Sequence, residues 1–235
     1  MVDRLRAGGV RDAPLVVASD LTKTYVQAGT ALTAVVGASF EVLPGDRIAV
    51  TGPSGSGKST LLHLIAALDE PTSGRIEWPG LAGRGHLRPG FISFSFQGPS
   101  LLPPLSVLEN VALPLLLMAV SEDEARAEAR QMIERLDLTD VANKLPEELS
   151  GGQMQRAGVA RALVGKPRLV LADEPTGQLD QDHAQELVDV VLDVVECSGA
   201  SLVVATHDLS IAARLPRRWR LADHQLETEV VLRSP

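Results

Sequence analysis

RIAVTGPSGSGKSTLLHLIAAL, Arg47–Leu68, decides the fold. Its opening residues form a short apolar run, its middle is rich in glycine, and its last ten residues are apolar nearly all round. That order reads as buried strand, loop, buried helix. Gly52, Gly57, Lys58 and Ser59 stand where the phosphate-loop pattern requires them. The glycines let backbone N–H groups turn inward around a phosphate. Lys58 neutralises the β- and γ-phosphates, and the Ser59 hydroxyl can ligate Mg²⁺. Gly52, Pro53, Ser54, Gly55, Ser56, Gly57, Lys58, Ser59 and Thr60 are therefore candidate ligands of a nucleotide triphosphate. A turn that is merely glycine-rich does not account for the strand before it and the helix after it.

Further along, RLVLADE (Arg168–Glu174) and SLVVATHD (Ser201–Asp208) are again short, nearly continuous apolar runs. Such runs suit strands covered on both faces of a parallel sheet, so the fold class is α/β. Each ends in polar residues, where ligands gather in sheets of this kind. Asp173 can hold the hydration shell of Mg²⁺, and Glu174 can polarise an attacking water. Two adjacent acids alone often mark only a helix start. His207 follows the apolar run LVVAT, where a lone histidine is usually satisfied locally, and Gln97 follows the alternating run FISFSF, where an isolated glutamine is mostly a surface residue. His63, His86, His183 and His224 show no metal-ligand spacing.

Strands are expected at Leu15–Tyr25 and Ala34–Val42, and a hairpin in WRLADHQLETEVVL around Asp223-His224. SVLE (Ser106–Glu109) and SEDE (Ser121–Glu124) have capping-box spacing, inside a mainly helical insert from Leu105 to about Val141. That insert buries Ala125, Ala129, Met132, Ile133 and Leu136. QELVDVVLDVV is amphipathic, with Leu187, Val190, Val191, Val194 and Val195 inward.

ELSGGQMQR, Glu148–Arg156, is a second phosphate-seeking element. Ser150 can cap the helix with Gln153 three residues on, and exposed amides at a helix start bind anions. It has no lysine.

Composition narrows the classes. The chain has 235 residues, 45% hydrophobic, enough for one large domain. A net charge of -8 and 3% aromatic residues argue against nucleic acid as a partner. The single cysteine, Cys197, makes no internal disulfide and fits a reducing cytosol. Residues 1–14 read as a flexible tail, without the apolar run of a signal peptide. No apolar run reaches the roughly 20 residues of a membrane span.

The order GPSGSGKST, FQ, LSGGQMQR, LVLADEPTGQLD and VVATHD, from about Leu15 to Leu226, resembles the ATP-binding-cassette ATPases. The resemblance implies a P-loop NTPase core with a mainly parallel sheet, an antiparallel β-subdomain and a helical signature subdomain at about 98–165, all in one domain of residues 15–235. It implies ATP and Mg²⁺ as cofactors and a homodimer formed head to tail on ATP. Ser150, Gly151, Gly152 and Gln153 would face the γ-phosphate held by the partner copy. Glu174 resembles the catalytic base and Asp173 the Mg²⁺ partner. Gln97 resembles the residue that senses Mg²⁺ and water, and His207 the γ-phosphate switch. Asp180 resembles the aspartate that communicates across the dimer. Tyr25 stands where the family places an adenine-stacking aromatic; an ordinary strand tyrosine is the alternative.

LDEPTSG, FQGPSLLPPLSVLENVALPL and LADEPTGQLD are most similar to the lipoprotein-releasing, macrolide-exporting and cell-division members. These imply a membrane permease as partner and a peripheral place on the cytoplasmic membrane face. A signalling ATPase that gates an extracytoplasmic hydrolase through a permease-like partner is the alternative reading. A DNA-repair engine lacks its coiled-coil or zinc insertion here. A silent binding module would not need every catalytic group. The chain departs from the family in its short segment 79–90, PGLAGRGHLRPG, in ISFSFQ with Ser93 and Ser95, in GQLD followed by QDHA, and in its Asp223-His224 turn.

Overall fold

The computed structural model describes residues 13–27, 29–81, 83, 87–98 and 100–230. Among them nine strands form one sheet in the order β4-β1-β2-β9-β8-β3-β7-β6-β5. The strands are β1 (Val16–Gln27), β2 (Thr30–Val42), β3 (Arg47–Thr51), β4 (Ser73–Glu77), β5 (Ile92–Ser95), β6 (Leu169–Asp173), β7 (Ser201–Ala205), β8 (Arg217–Ala222) and β9 (Gln225–Val230). The helices are α1 (Lys58–Ile65), α2 (Val107–Leu117), α3 (Glu122–Arg135), α4 (Gly151–Leu163), α5 (Gln181–Ser198) and α6 (Leu209–Ala212).

The three expected buried strands are β3, β6 and β7, and they run parallel side by side with β5 and β8 at their flanks. Every residue of β6 and β7 is buried. Alternate side chains enter two cores. Leu169 and Leu171 join Leu61, Leu64 and Ile65 of α1 on one face, while Val170 and Ala172 join Leu187, Val191 and Val195 of α5 on the other. β1, β2 and β4 form the antiparallel part.

The insert folds as α2, α3 and a short 3₁₀ turn at Thr139–Val141. Ser106 and Glu109 complete the reciprocal box. Ser121 does not: Glu124 takes the Ser121 hydroxyl at 2.9 Å, and only half of that expected box exists. The five residues expected inward on α3 are buried. On α5, Val188 is buried while Val190 is only partly so, because the 100° step per residue turns Val188 toward the core beside Leu187 and Val191. β1 and β2 pair as far as Gln27 and Thr30, so β1 runs two residues and β2 four beyond the expected bounds. α1 stops at Ile65, three residues earlier than its apolar run, and Ala67 turns to φ 52°.

The hairpin turns at Asp223 and His224, both at positive φ (48° and 64°). Two such residues in a row give the turn whose twist matches its strands, without the usual glycine. The amide of Val36 donates to the His224 carbonyl, tying the turn to β2. In the short segment 79–90, Leu81 and Leu87 are buried and the Gly80 amide donates to the Pro14 carbonyl; residues 82 and 84–86 lie outside the described residues, as do residues 1–12 of the expected tail.

Candidate active site

Four strand ends converge. β3 stops at Thr51 and enters the phosphate loop; its neighbour β7 stops at Ala205, paired with both Val50 and Asp173. β5 pairs Ser95 with Ala172 and leads to Gln97. The register alone therefore brings Gly52, Asp173, Glu174, His207 and Gln97 to one edge. An open cavity of ≈ 460 Å³ lies there, lined by Ser54, Gly55, Gly57, Lys58, Ser59, Thr60, Gln97, Asp173, Glu174 and His207, together with Tyr25, Leu32 and Ala34. That is room for a nucleotide.

The loop's shape is fixed by its glycines. Gly57 sits at φ 105° and a Cβ there would lie 2.0 Å from the Ala34 carbonyl oxygen; Gly52 sits at φ 155° with the Leu221 oxygen 2.1 Å from the same position. Both are close approaches of backbone to backbone that no side chain fits. Gly57 also begins α1 without a side-chain cap, which leaves the first amides of the helix for an anion. Lys58 is buried, donating to the carbonyls of Gly52 (2.9 Å) and Pro53 (3.1 Å).

Glu174 is held in the left-handed region, φ 47°, a conformation that costs a non-glycine residue about 1–3 kcal/mol. Its amide donates to the Ala205 carbonyl. The residue is 6% exposed, and its carboxylate lies 2.9 Å from His207 Nδ1 on one oxygen and 4.0 Å from Lys58 Nζ on the other. Burial pushes the Asp173 carboxyl above its ordinary value, and the Ser59 hydroxyl pulls it back. Asp173 Oδ1 is buried with no hydrogen-bond partner. An orphaned carboxylate oxygen beside a serine hydroxyl is a hard-oxygen donor set that fits Mg²⁺, which needs only one or two protein ligands when phosphates supply the rest.

Ser150 caps α4, accepting from the Gln153 amide at 3.2 Å, while Gln153 Oε1 accepts from the Ser150 amide at 2.9 Å. Ser150, Gly151, Gly152 and Gln153 are not among the residues lining the phosphate-loop cavity. Nor is Asp180, which caps α5 and is bound by His183, whose Nδ1 lies 2.8 Å from each carboxylate oxygen.

Gln155 escapes the motif reading. It is buried, its Nε2 donates to the Glu174 carbonyl at 2.7 Å, and its Oε1 accepts from the Gln178 amide at 2.8 Å. It thereby joins the start of α4 to the strand end that carries Glu174. The available signal was a polar side chain on the face of α4 shared with apolar Val159 and Ala162.

The sequence profile of the ABC transporter family matches residues 35–177. The lipoprotein-releasing system ATP-binding protein LolD of Hydrogenovibrio crunogenus is 41% identical, over 88% of this chain and 93% of its own length. The chain belongs to the ABC transporter family. It is an ATP-binding subunit of that family and an ATPase. A dimeric structure of MJ0796, a bacterial ABC transporter cassette, superposes with a TM-score of 0.87 at 34% identity, covering 93% of this chain and all of that one. A second dimeric MJ0796 structure, in a post-hydrolysis state bound to ADP and Pi, matches equally well, with a TM-score of 0.87. The mixed α/β fold expected from the sequence is the fold of this cassette.

Proposed function

We propose that this ATPase works as a head-to-tail homodimer that closes on two Mg-ATP and drives a membrane permease of the lipoprotein-release or related export type. In this reading residues 15–235 act as one ATPase domain with a helical subdomain at about 98–165. The loop amides, Lys58 and Thr60 hold the phosphates. Ser59, Gln97 and Asp173 would hold Mg²⁺, which would neutralise charge building on the γ-phosphate. Glu174 accepts a proton from the attacking water, and His207 fixes the Glu174 carboxylate and meets the γ-phosphate. Tyr25 stacks on adenine. Ser150, Gly151, Gly152 and Gln153 complete the site of the partner copy, and Asp180 reports across the interface. No helix among the described residues is long and apolar enough to cross a membrane. The subunit then sits on the cytoplasmic face through its permease.

The observation that supports this most is the position of Glu174, buried in the cavity lining between Lys58 and His207. Glu174→Gln is expected to bind ATP with near-normal affinity and to lose roughly 10²–10⁴-fold in kcat, the range of a general base. Turnover near the parent value in that variant would mean that another base operates.

A further inference from the structure

Tyr25 is not a free-standing ring. Its hydroxyl donates to Asp69 Oδ2 at 2.7 Å. The other oxygen, Asp69 Oδ1, accepts from Lys23 Nζ at 2.6 Å, and the Glu70 amide donates to it at 2.7 Å. Lys23 Nζ also donates to the Glu70 carbonyl at 2.8 Å and lies 4.8 Å from the centroid of the Tyr25 ring. Asp69 stands just beyond α1, the helix whose first turn belongs to the phosphate loop. Tyr25 belongs to the antiparallel part of the sheet. The Asp69 carboxylate, 44 residues from Tyr25 in sequence, therefore ties the ring to the far end of α1, while the Thr60 side chain bonds the same hydroxyl at the first turn of that helix.

We propose that Asp69 is a positioning residue for the nucleotide base: it holds the Tyr25 ring, with Lys23 on one ring face, so that the other face meets the base of a nucleotide whose phosphates lie on the loop. The proposal rests on the reading that Tyr25 stacks on adenine. Stacking depends on ring orientation, and an exposed tyrosine on two rotatable bonds loses most of its preorganisation without an anchor. Neither Asp69 nor Lys23 lines the phosphate-loop cavity, so the effect of losing the Asp69 anchor belongs to base-bearing ligands only.

The test is calorimetric titration of the full chain with Mg-ATP and with tripolyphosphate, for the parent, Tyr25→Phe, Asp69→Ala and Tyr25→Ala. Tyr25→Phe keeps the ring and removes the hydroxyl with its bonds to Asp69 and Thr60, so it stays informative even if Asp69→Ala folds poorly, while Asp69→Ala isolates the carboxylate. The expected result is ATP binding weakened roughly three- to tenfold by Tyr25→Phe and by Asp69→Ala, the size of one lost hydrogen bond. Tyr25→Ala weakens it further, and all four proteins bind tripolyphosphate alike. If Tyr25→Ala is weak for ATP while Tyr25→Phe and Asp69→Ala match the parent, stacking stands and the anchor is overturned. If Tyr25→Ala binds ATP as the parent does, the stacking reading fails and the anchor with it. A loss of tripolyphosphate affinity in Asp69→Ala equal to its loss of ATP affinity would also overturn the proposal, because it would place the damage in the phosphate loop.

Discussion

The phosphate loop and the start of α4 both place glycines at a helix N-terminus, and in the proposed reading both offer helix amides to an anion. They differ in what holds their glycines. At Gly52 and Gly57 a Cβ would strike the protein's own backbone, the carbonyls of Leu221 and Ala34. At Gly151 it would meet the end of the Gln178 side chain, Oε1 at 2.4 Å, and at Gly152 the Leu179 Cδ2 at 2.8 Å. Neither signature glycine has positive φ. The first pair is required by the chain's own fold. The second pair is not, because only the ends of flexible side chains stand in the way. This contrast supports the proposed role of the signature in the partner's site.

The largest expected effect breaks the first region alone. Lys58→Ala removes a charge that would make two charge-assisted bonds to phosphates, each worth about 1.5–3 kcal/mol, so ATP affinity is expected to fall by at least about a hundredfold. Titration calorimetry that returned the parent affinity would contradict the assignment of this loop. A paired test sharpens the contrast. Gly57→Ala forces a side chain into φ 105° against backbone and is expected to lower stability by at least about 1–3 kcal/mol. Gly151→Ala sits in a helix and gains up to ~1 kcal/mol of helix propensity, offset by displacement of Gln178, so its unfolding midpoint should stay close to the parent while ATP-dependent pairing is lost. Equal destabilisation by the two in urea would remove the distinction.

The smallest effect concerns the cap of α5 next to the signature. His183 is raised above its ordinary value by the Asp180 side chain, and Asp180 is lowered by its bonds to His183. The signs give a window. The His183 contribution is complete below its unfolded value of about 6.5 and is lost as pH rises through the raised value. The Asp180 contribution is present above about 3.8 and is lost as pH falls through the lowered value. The cap is therefore firmest between the two. Asp180→Asn is expected to bring the His183 titration, followed by NMR, down toward its ordinary value; an unchanged titration would show that the pair does not interact in solution.

Much of this was readable from residue order. The phosphate loop is legible because its function demands glycine at fixed spacing, and β3, β6 and β7 because both faces of each strand are covered. What stayed hidden are links between distant segments. Gln155 to Glu174 spans 19 residues and Tyr25 to Asp69 spans 44, and no local pattern says which of several polar groups a side chain will meet. The clamp of His183 on Asp180 had the spacing of a helix cap, but nothing in that spacing says the imidazole would fold back onto the capping carboxylate. The early end of α1 was hidden for a different reason. Ala66, Ala67 and Leu68 continue the apolar run, yet the chain must turn there to bring Asp69 to Lys23 and Tyr25.

The central claim is that α4 closes on a nucleotide held by another copy. Light scattering on Glu174→Gln with and without Mg-ATP tests it directly. A shift from monomer to dimer mass that requires ATP, and that Gly151→Ala in the same background abolishes, is the predicted result. A mass that stays monomeric while calorimetry shows ATP bound would contradict the claim for the isolated subunit and assign pairing to the permease.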